Sequence, residues 1–493
     1  MKKFLFEKNG GKKEFSLLLA IFVFFMIFFI SAHPIVVFDT DDWLYLAKSR
    51  YAIPTWGSWN PTRIFPEILM PIASMFGVYI IKPIFQIDFT DAISVSYAIT
   101  VSIFITMYFA SFILFCKKKI GMNTKNTVYA SLLFFTFHFL IFRSSTENNK
   151  YLFHALDACC YFYYLIPALL NISVVLYLFS FKDELSTGKK SFMNPVLLLA
   201  TYLALFSNQF QSIILGVYAG VILLVEGYKY IKNRKKISIK KFLKMNSYYV
   251  LVCVILFAVQ IFELNGGRAA SLSNSDDSFA DNFIDTLLNI FYLAQKFNLI
   301  FLALLVVSLL YGIFLILKNR KKFYEYVFFV MELLFVGIYL ILACTIVNPS
   351  YIMRTDVVLG VLSVLVGFMA IMINGIMSEH SQLNGLKLIL LLVLYSFIYT
   401  PGTTFLESNI ENLSPEVCKN INNMIIDEVV KADNNEETET VVTVPKFDSS
   451  DNWPIANYGG NAYSTALYEF NLTKRYINIE FDYSDELTEK YIK

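Results

Sequence analysis

Long apolar segments recur along the whole chain, and they constrain its fold more than any other feature. Most of them are close to the roughly 20 residues with which a helix crosses a bilayer. A soluble domain could not bury so many, because 56% of the 493 residues are apolar and only 16% are charged. We therefore predict an all-α polytopic membrane protein.

Eleven segments are predicted to span the membrane. They lie at about 15–31, 92–115, 127–142, 160–181, 194–207, 210–227, 246–263, 298–317, 326–347, 355–376 and 386–400. The first follows five lysines and is longer than the apolar part of a signal peptide, so we interpret it as an uncleaved span. About 11 transmembrane helices place the two termini on opposite sides.

The orientation follows from the distribution of Lys and Arg. With a cytoplasmic N-terminus, most of the 41 Lys and Arg lie on the inside, including the basic run 229–244. We predict a multi-pass cell-membrane protein with a cytoplasmic N-terminus and an extracytoplasmic C-terminus.

The segment 64–86 is the ambiguous one. Its apolar centre is about 14 residues long, contains Pro71 and lies between Glu67 and Lys82, which favours an interfacial piece over a span. We therefore predict one long first outer loop, residues 33–91, with helices that lie along the membrane surface. Tryptophans in this loop, such as Trp43, are predicted to anchor it at the interface.

The composition changes after Pro401, where the apolar segments stop and acidic residues predominate. Pro415 is predicted to open a helix, with Val417, Ile421 and Val429 at helical spacing. Two runs of β-branched and aromatic residues, 440–444 and 476–481, predict strands. We predict a transmembrane domain over residues 1–400 and a small extracytoplasmic α/β domain over residues 401–493.

Three carboxylates stand within four residues just past the first span. They are Asp39, Asp41 and Asp42. A carboxylate at a membrane edge suits transfer of a sugar from a phosphate-linked donor, since that reaction needs a base for the acceptor hydroxyl and the phosphate leaves without a proton. A second interpretation is a helix cap, because Asp at a helix start accepts backbone N–H bonds. A divalent cation is a third, although no second cluster has ligand spacing.

The predicted outer loops supply groups that could bind the donor phosphate, since arginine can contact phosphate in bidentate fashion. The candidate substrate-binding residues are Arg63, Arg143, Lys150, His154, Arg268 and Arg354. Flanking a membrane segment is the alternative interpretation for each cation.

The pattern resembles the GT-C superfamily of integral-membrane glycosyltransferases, and within it the bacterial Gtr-type enzymes. The resemblance is carried by the cytoplasmic N-terminus, the single span and the long outer loop that opens with Asp41-Asp42-Trp43, together with the tail from Trp453-Pro454 to Tyr468. It implies an inverting hexosyltransferase with a polyprenyl-phosphate-linked sugar donor and a cell-surface glycan acceptor. We predict no cofactor other than the divalent cation left open above. The base would be Asp41 first and Asp42 second, with the extra Asp39 as a further candidate.

Two other classes of protein remain open. A polysaccharide polymerase or ligase would also use outer-loop arginines and a lipid-linked donor. A lipid-linked sugar flippase or transporter would carry ionisable residues at mid-membrane depth, and Glu332 is the clearest charge within a predicted span. The basic residues cluster between apolar segments, which does not indicate nucleic-acid binding.

Overall fold

The computed structural model describes residues 11–50, 60–143, 151–186, 194–232, 239–266, 278–318, 323–379, 386–398 and 413–492, without the side chains of 183, 241 and 323–328. Its helices are α1 (Gly11–Ala32), α2 (Thr40–Leu46), α3 (Pro61–Phe85), α4 (Phe89–Ile120), α5 (Thr124–Leu140), α6 (Ala158–Ser180), α7 (Lys182–Ser186), α8 (Pro195–Leu205), α9 (Gln209–Lys232), α10 (Ile239–Met245), α11 (Ser247–Leu264), α12 (Phe279–Gln295), α13 (Leu299–Lys318), α14 (Phe323–Val347), α15 (Thr355–Glu379), α16 (Leu386–Ser396), α17 (Pro415–Asn434), α18 (Gly460–Glu469) and α19 (Asp485–Tyr491). The strands are β1 (Glu439–Pro445) and β2 (Asn478–Ser484).

Within the described ranges, nine helices are long and apolar enough to cross a membrane. Eight of them coincide with predicted spans, so a multi-pass membrane protein is confirmed at that level. The other three predicted spans form shorter helices, α5 with 17 residues and α8 and α16 with 11 each. By the criterion of helix length, the described residues therefore contain nine candidate spans, whereas the sequence predicted about 11.

The ninth helix is α3, which the sequence assigned to an interfacial piece. The helix continues through Pro71, so the apolar element is 25 residues long rather than about 14. It packs closely on α4, because a Cβ added at Gly77 would lie 2.8 Å from the carbonyl oxygen of Ala92.

The helix ends fall into two groups at opposite ends of the bundle. Near the start of α1, Lys117 donates to Glu14 at 2.9 Å, and this group defines the Lys117 end. Past the far end of α1, Asp42 contacts Cys159 at the start of α6, and Arg354 contacts Cys160. We call this second group the Asp42 end.

Both ends of α3 lie at the Asp42 end. Arg63, in its first turn, donates to Tyr45 of the loop that carries Asp42. Near its other end, the ring of Tyr79 lies 6.2 Å from that of Phe470 in the C-terminal region, which also packs at the Asp42 end. A helix that crossed the bundle could not make both contacts, although its interfacial location in a membrane stays a prediction.

Aromatic side chains fill the interior next to the Asp42 end. The ring of Phe25 in α1 packs against those of Phe29, Phe139 and Phe153, and all four residues are buried. Apolar packing of this kind leaves α1, α5 and the segment before α6 in fixed positions, and so it fixes the loops between them.

The C-terminal region contains the predicted helix and both predicted strands. Ser414 caps α17 through its side chain, which accepts the Val417 N–H. β1 and β2 pair in parallel from Glu439 opposite Asn478 to Pro445 opposite Ser484, and α18 lies in the connection between them. The sequence analysis did not predict α18, which packs against α2.

Candidate active site

A cavity of about 590 Å³ opens at the Asp42 end, between the helical bundle and the C-terminal region. Its lining combines carboxylates, arginines and aromatic rings from both parts of the chain. The lining residues are Asp39, Asp41, Tyr45, Arg63, Leu156, Asp157, Cys159, Cys160, Tyr163, Tyr164, Tyr351, Arg354, Leu413, Phe447, Asp448, Trp453, Pro454 and Ile492.

The three clustered carboxylates have different surroundings because α2 begins among them. Asp39 is the N-cap, and its Oδ1 accepts the Asp41 N–H at 2.7 Å. Asp42 completes a capping box by accepting the Asp39 N–H at 3.3 Å. The cap interpretation therefore describes Asp39 and Asp42 directly.

Asp42 is fully buried and is not among the lining residues. Its Oδ1 accepts the Cys159 N–H at 2.6 Å, and its Oδ2 accepts the Phe38 N–H at 3.1 Å. These bonds connect the start of α2 to the start of α6. As a candidate base, Asp42 is therefore placed behind the cavity wall.

Asp41 lies in the first turn of α2, is half-buried and lines the cavity. Its backbone is held by the capping box, whose members Asp39 and Asp42 stand on either side of it in the sequence. Of the three carboxylates, Asp39 and Asp41 line the cavity, and Asp41 is the less buried of these two.

The C-terminal region fixes α2 from the other side. The Thr40 hydroxyl donates to the Pro454 carbonyl at 2.8 Å and accepts the Ala456 N–H at 3.0 Å. The ring of Trp43 stacks on Tyr463 at 3.9 Å, and Trp43 is only 1% exposed. Trp43 is thus a packing residue inside the protein, and its predicted role as an interface anchor was wrong.

Burial shifts the acid–base properties of this cluster. Burial, followed by repulsion from Asp157 and Asp42, raises the pKa of Asp39 to about 10. Burial raises the pKa of Asp157 to about 6, against the opposing bonds from Cys160. Asp39 therefore holds a proton at neutral pH, which limits the negative charge beside Asp41.

Arg354 is held in the lining by an ion pair and two aromatic rings. Its Nε and Nη2 donate to the two carboxylate oxygens of Asp356 at 3.1 and 2.8 Å. Its guanidinium carbon lies 4.4 Å from the ring centre of Tyr164 and 5.1 Å from that of Tyr351. Among the described residues, Nη1 has no hydrogen-bond partner, so Arg354 can donate to a ligand without breaking the Asp356 pair.

Arg63 is the second arginine of the lining. Its Nη1 donates to the Tyr45 hydroxyl at 2.7 Å and lies 3.6 Å from Glu67 Oε1. Glu67 in turn accepts from the Tyr163 hydroxyl and pairs with Arg50. Arg63 is thereby fixed between two lining tyrosines.

Two of the remaining predicted substrate-binding residues, His154 and Arg143, are described by the structure, and neither lines the cavity. His154 is buried with its ring 5.6 Å from that of His33, and its carbonyl accepts from Thr355. Arg143 is exposed and its N–H donates to the Lys296 carbonyl. Lys150 and Arg268 lie outside the described residues.

Several lining residues were not proposed from the sequence. Asp157 directly precedes a span, as the N-cap of the helical turn that starts α6. The same pattern, an acid at the outer edge of an apolar segment, singled out Asp41, and it would have identified Asp157 as well. Trp453 and Asp448 offered no such signal, because they reach the cavity only through the packing of the C-terminal region.

The divalent-cation interpretation gains no support here. Across the part of the chain that the structure describes, no group of three or more His, Cys, Asp or Glu is arranged to hold a metal ion.

No protein-family model, curated protein or solved structure matches this chain. Its function must therefore be argued from the cavity itself.

Proposed function

We propose that this protein is an inverting membrane glycosyltransferase of the GT-C type. It would transfer a sugar from a polyprenyl-phosphate donor to a glycan acceptor on the extracytoplasmic face, with Asp41 as the general base. The observation that carries the proposal is a cavity at one end of the helical bundle whose lining includes both Asp41 and Arg354.

The proposed step balances with these two groups alone. An Asp41 carboxylate oxygen takes the proton from the acceptor hydroxyl as its oxygen bonds to the anomeric carbon of the donor sugar. The bond from that carbon to the phosphate oxygen breaks, and polyprenyl phosphate leaves as an anion. Attack opposite the leaving group inverts the anomeric centre.

The arginines suit the departing phosphate. Arg354 has a donor directed away from its Asp356 pair, and stacking on Tyr164 restricts its side chain before a ligand arrives. Arg63 adds a second positive charge to the lining. Two fixed guanidinium groups stabilise charge that develops on the phosphate as the bond breaks.

The location of the cavity also favours a transferase over a transporter. A transport site is expected near mid-membrane depth. Here the charged lining lies at the Asp42 end and includes residues after the last predicted span, such as Asp448 and Trp453.

The test is sugar transfer by the purified protein in lipid, from a radiolabelled polyprenyl-phosphate hexose to cell-surface glycan. Asp41→Asn should reduce transfer by about a hundred- to ten-thousand-fold, the usual contribution of a general base. Asp482→Asn is the matched control, because Asp482 is an exposed acid on β2 that does not line the cavity. Wild-type transfer by Asp41→Asn would contradict the proposal.

A further inference from the structure

The cavity has two walls of different chemistry. Arg63, Arg354 and four of the lining aromatic residues come from the helical bundle and the loops between its helices. The other wall comes from the end of the chain and consists of Phe447, Asp448, Trp453, Pro454 and Ile492. We call this set the C-terminal wall, and none of its members carries positive charge.

The loop that forms most of the C-terminal wall has a fixed shape. The buried Asn452 side chain accepts the Phe447 N–H at 2.6 Å and donates to the carbonyls of Pro445 and Ile455. Asn452 itself has φ of 61°, a backbone conformation that asparagine tolerates better than most residues. The loop is therefore organised by its own hydrogen bonds before a ligand binds.

The same loop is attached to the helix that carries Asp41. Pro454 accepts both the Thr40 N–H at 3.0 Å and the Thr40 hydroxyl, and Thr40 directly precedes Asp41. Trp453 and Asp41 therefore keep a fixed relative position. A molecule that rests on Trp453 is presented to the proposed base.

The charges in the lining indicate what kind of molecule can rest there. Four of the lining side chains are aspartates, Asp39, Asp41, Asp157 and Asp448, and of these Asp39 holds its proton at neutral pH. The two lining arginines belong to the other wall, where they also pair with Asp356 and Glu67. Next to the C-terminal wall, Lys446 pairs with Asp485 at 3.5 Å. An anionic sugar on this wall would be repelled by the Asp448 and Asp41 carboxylates, and among the residues that the structure describes no cation belongs to the wall.

We infer that the C-terminal wall is the acceptor subsite, and that it binds an uncharged sugar unit stacked on Trp453 with a hydroxyl donating to Asp448. An aromatic face and a carboxylate match the apolar C–H face and the hydroxyl donors of such a sugar. This inference rests on the proposed function for its meaning, because it assigns the acceptor of that reaction.

The test measures sugar binding without any donor, so that its outcome is separate from transfer. The full-length protein in nanodiscs is titrated with galactobiose and with digalacturonate, which differ in the carboxylates at C6. A panel of neutral glucose, rhamnose and N-acetylglucosamine disaccharides is titrated in parallel. Binding is followed by saturation-transfer NMR on the sugar protons.

We expect at least one neutral disaccharide to bind at millimolar concentration and digalacturonate to bind more weakly than galactobiose. Trp453→Ala should weaken binding by about tenfold or more, whereas Trp453→Phe keeps a ring and should retain most of it. Tyr476→Ala is the matched control, since Tyr476 is a 41% exposed aromatic of the same region outside the lining. Thermal unfolding of each variant shows whether it has folded.

The inference is overturned if Trp453→Ala binds as well as wild type, if digalacturonate binds as well as galactobiose, or if no neutral disaccharide binds. Loss of transfer in Asp41→Asn with sugar binding retained supports both proposals. Retained transfer in Asp41→Asn together with lost binding in Trp453→Ala would refute the role of Asp41 and leave the acceptor subsite standing.

Discussion

Asp42→Asn is the substitution for which the structure makes the sharpest prediction. The Asp42 carboxylate accepts three backbone N–H bonds, from Phe38, Asp39 and Cys159. An asparagine amide offers one oxygen acceptor, and its NH₂ group must face N–H donors on the other side. Either orientation leaves one or two buried N–H groups without a partner.

Each buried donor that loses its partner costs about 1 to 3 kcal/mol. Loss of one or two such bonds, with donor facing donor, should therefore destabilise the folded state by roughly 2 to 5 kcal/mol. Asp41→Asn breaks none of these bonds and should unfold at nearly the wild-type temperature. The two neighbouring substitutions thus separate stability from catalysis.

The assay is thermal unfolding of each purified variant in the same detergent, followed by intrinsic tryptophan fluorescence, beside the transfer assay. We expect a midpoint lowered by several degrees for Asp42→Asn and near wild type for Asp41→Asn. Equal midpoints for wild type and Asp42→Asn would refute the buried-cap argument. Normal stability with lost transfer in Asp42→Asn would instead make Asp42 the base.

Three further predictions follow from charge and position. Arg354→Lys should raise the KM for the lipid donor, because a lysine ammonium cannot reproduce the bidentate contact of a guanidinium group with phosphate. The midpoint of thermal unfolding should stay near wild type, because lysine can still pair with Asp356. An unchanged KM would remove Arg354 from donor binding. The raised pKa of Asp39, about 10 against 3.8, means that the folded state keeps a proton that the unfolded chain loses, so stability should fall as pH rises across that window. Asp39→Asn should therefore lose less stability than wild type between about pH 5 and about pH 9. Parallel plots of unfolding free energy against pH for the two proteins would contradict this. Labelling of Lys118→Cys should require a membrane-permeant thiol reagent. A reporter that works only outside the cytoplasm should be active when it is fused after Lys493. The opposite result in both experiments would place the cavity inside the cell.

The sequence predicts most of the helices because apolar segments of bilayer length leave little choice of structure. Where a predicted apolar segment and the helix it forms differ, they differ in length. α8 and α16 are shorter than their apolar segments, and α3 is longer than its apolar centre because the helix continues through Pro71. Hydropathy measures the composition of a window and does not record where a helix begins and ends.

The site was predictable where one local pattern was sufficient. Asp41 stands out because it lies in an acidic cluster next to a span, and Arg354 because it stands at the mouth of another. The division of roles among the carboxylates depends on contacts with Cys159, over a hundred positions away, which no local pattern contains. The role that we propose for Trp453 likewise depends on the contact between Thr40 and Pro454.

That contact has a consequence for biosynthesis. Thr40 and Pro454 are 414 positions apart, so at about 5 to 20 residues per second the ribosome needs roughly 20 to 80 s to make the second after the first. During that time the nascent chain carries Asp41 but has neither Pro454 nor Tyr463 to hold its helix. A chain that terminates early would enter the membrane with its acidic cluster but without a complete cavity. We therefore expect the proposed transfer activity only in molecules whose C-terminal region has been translated and has docked at the Asp42 end.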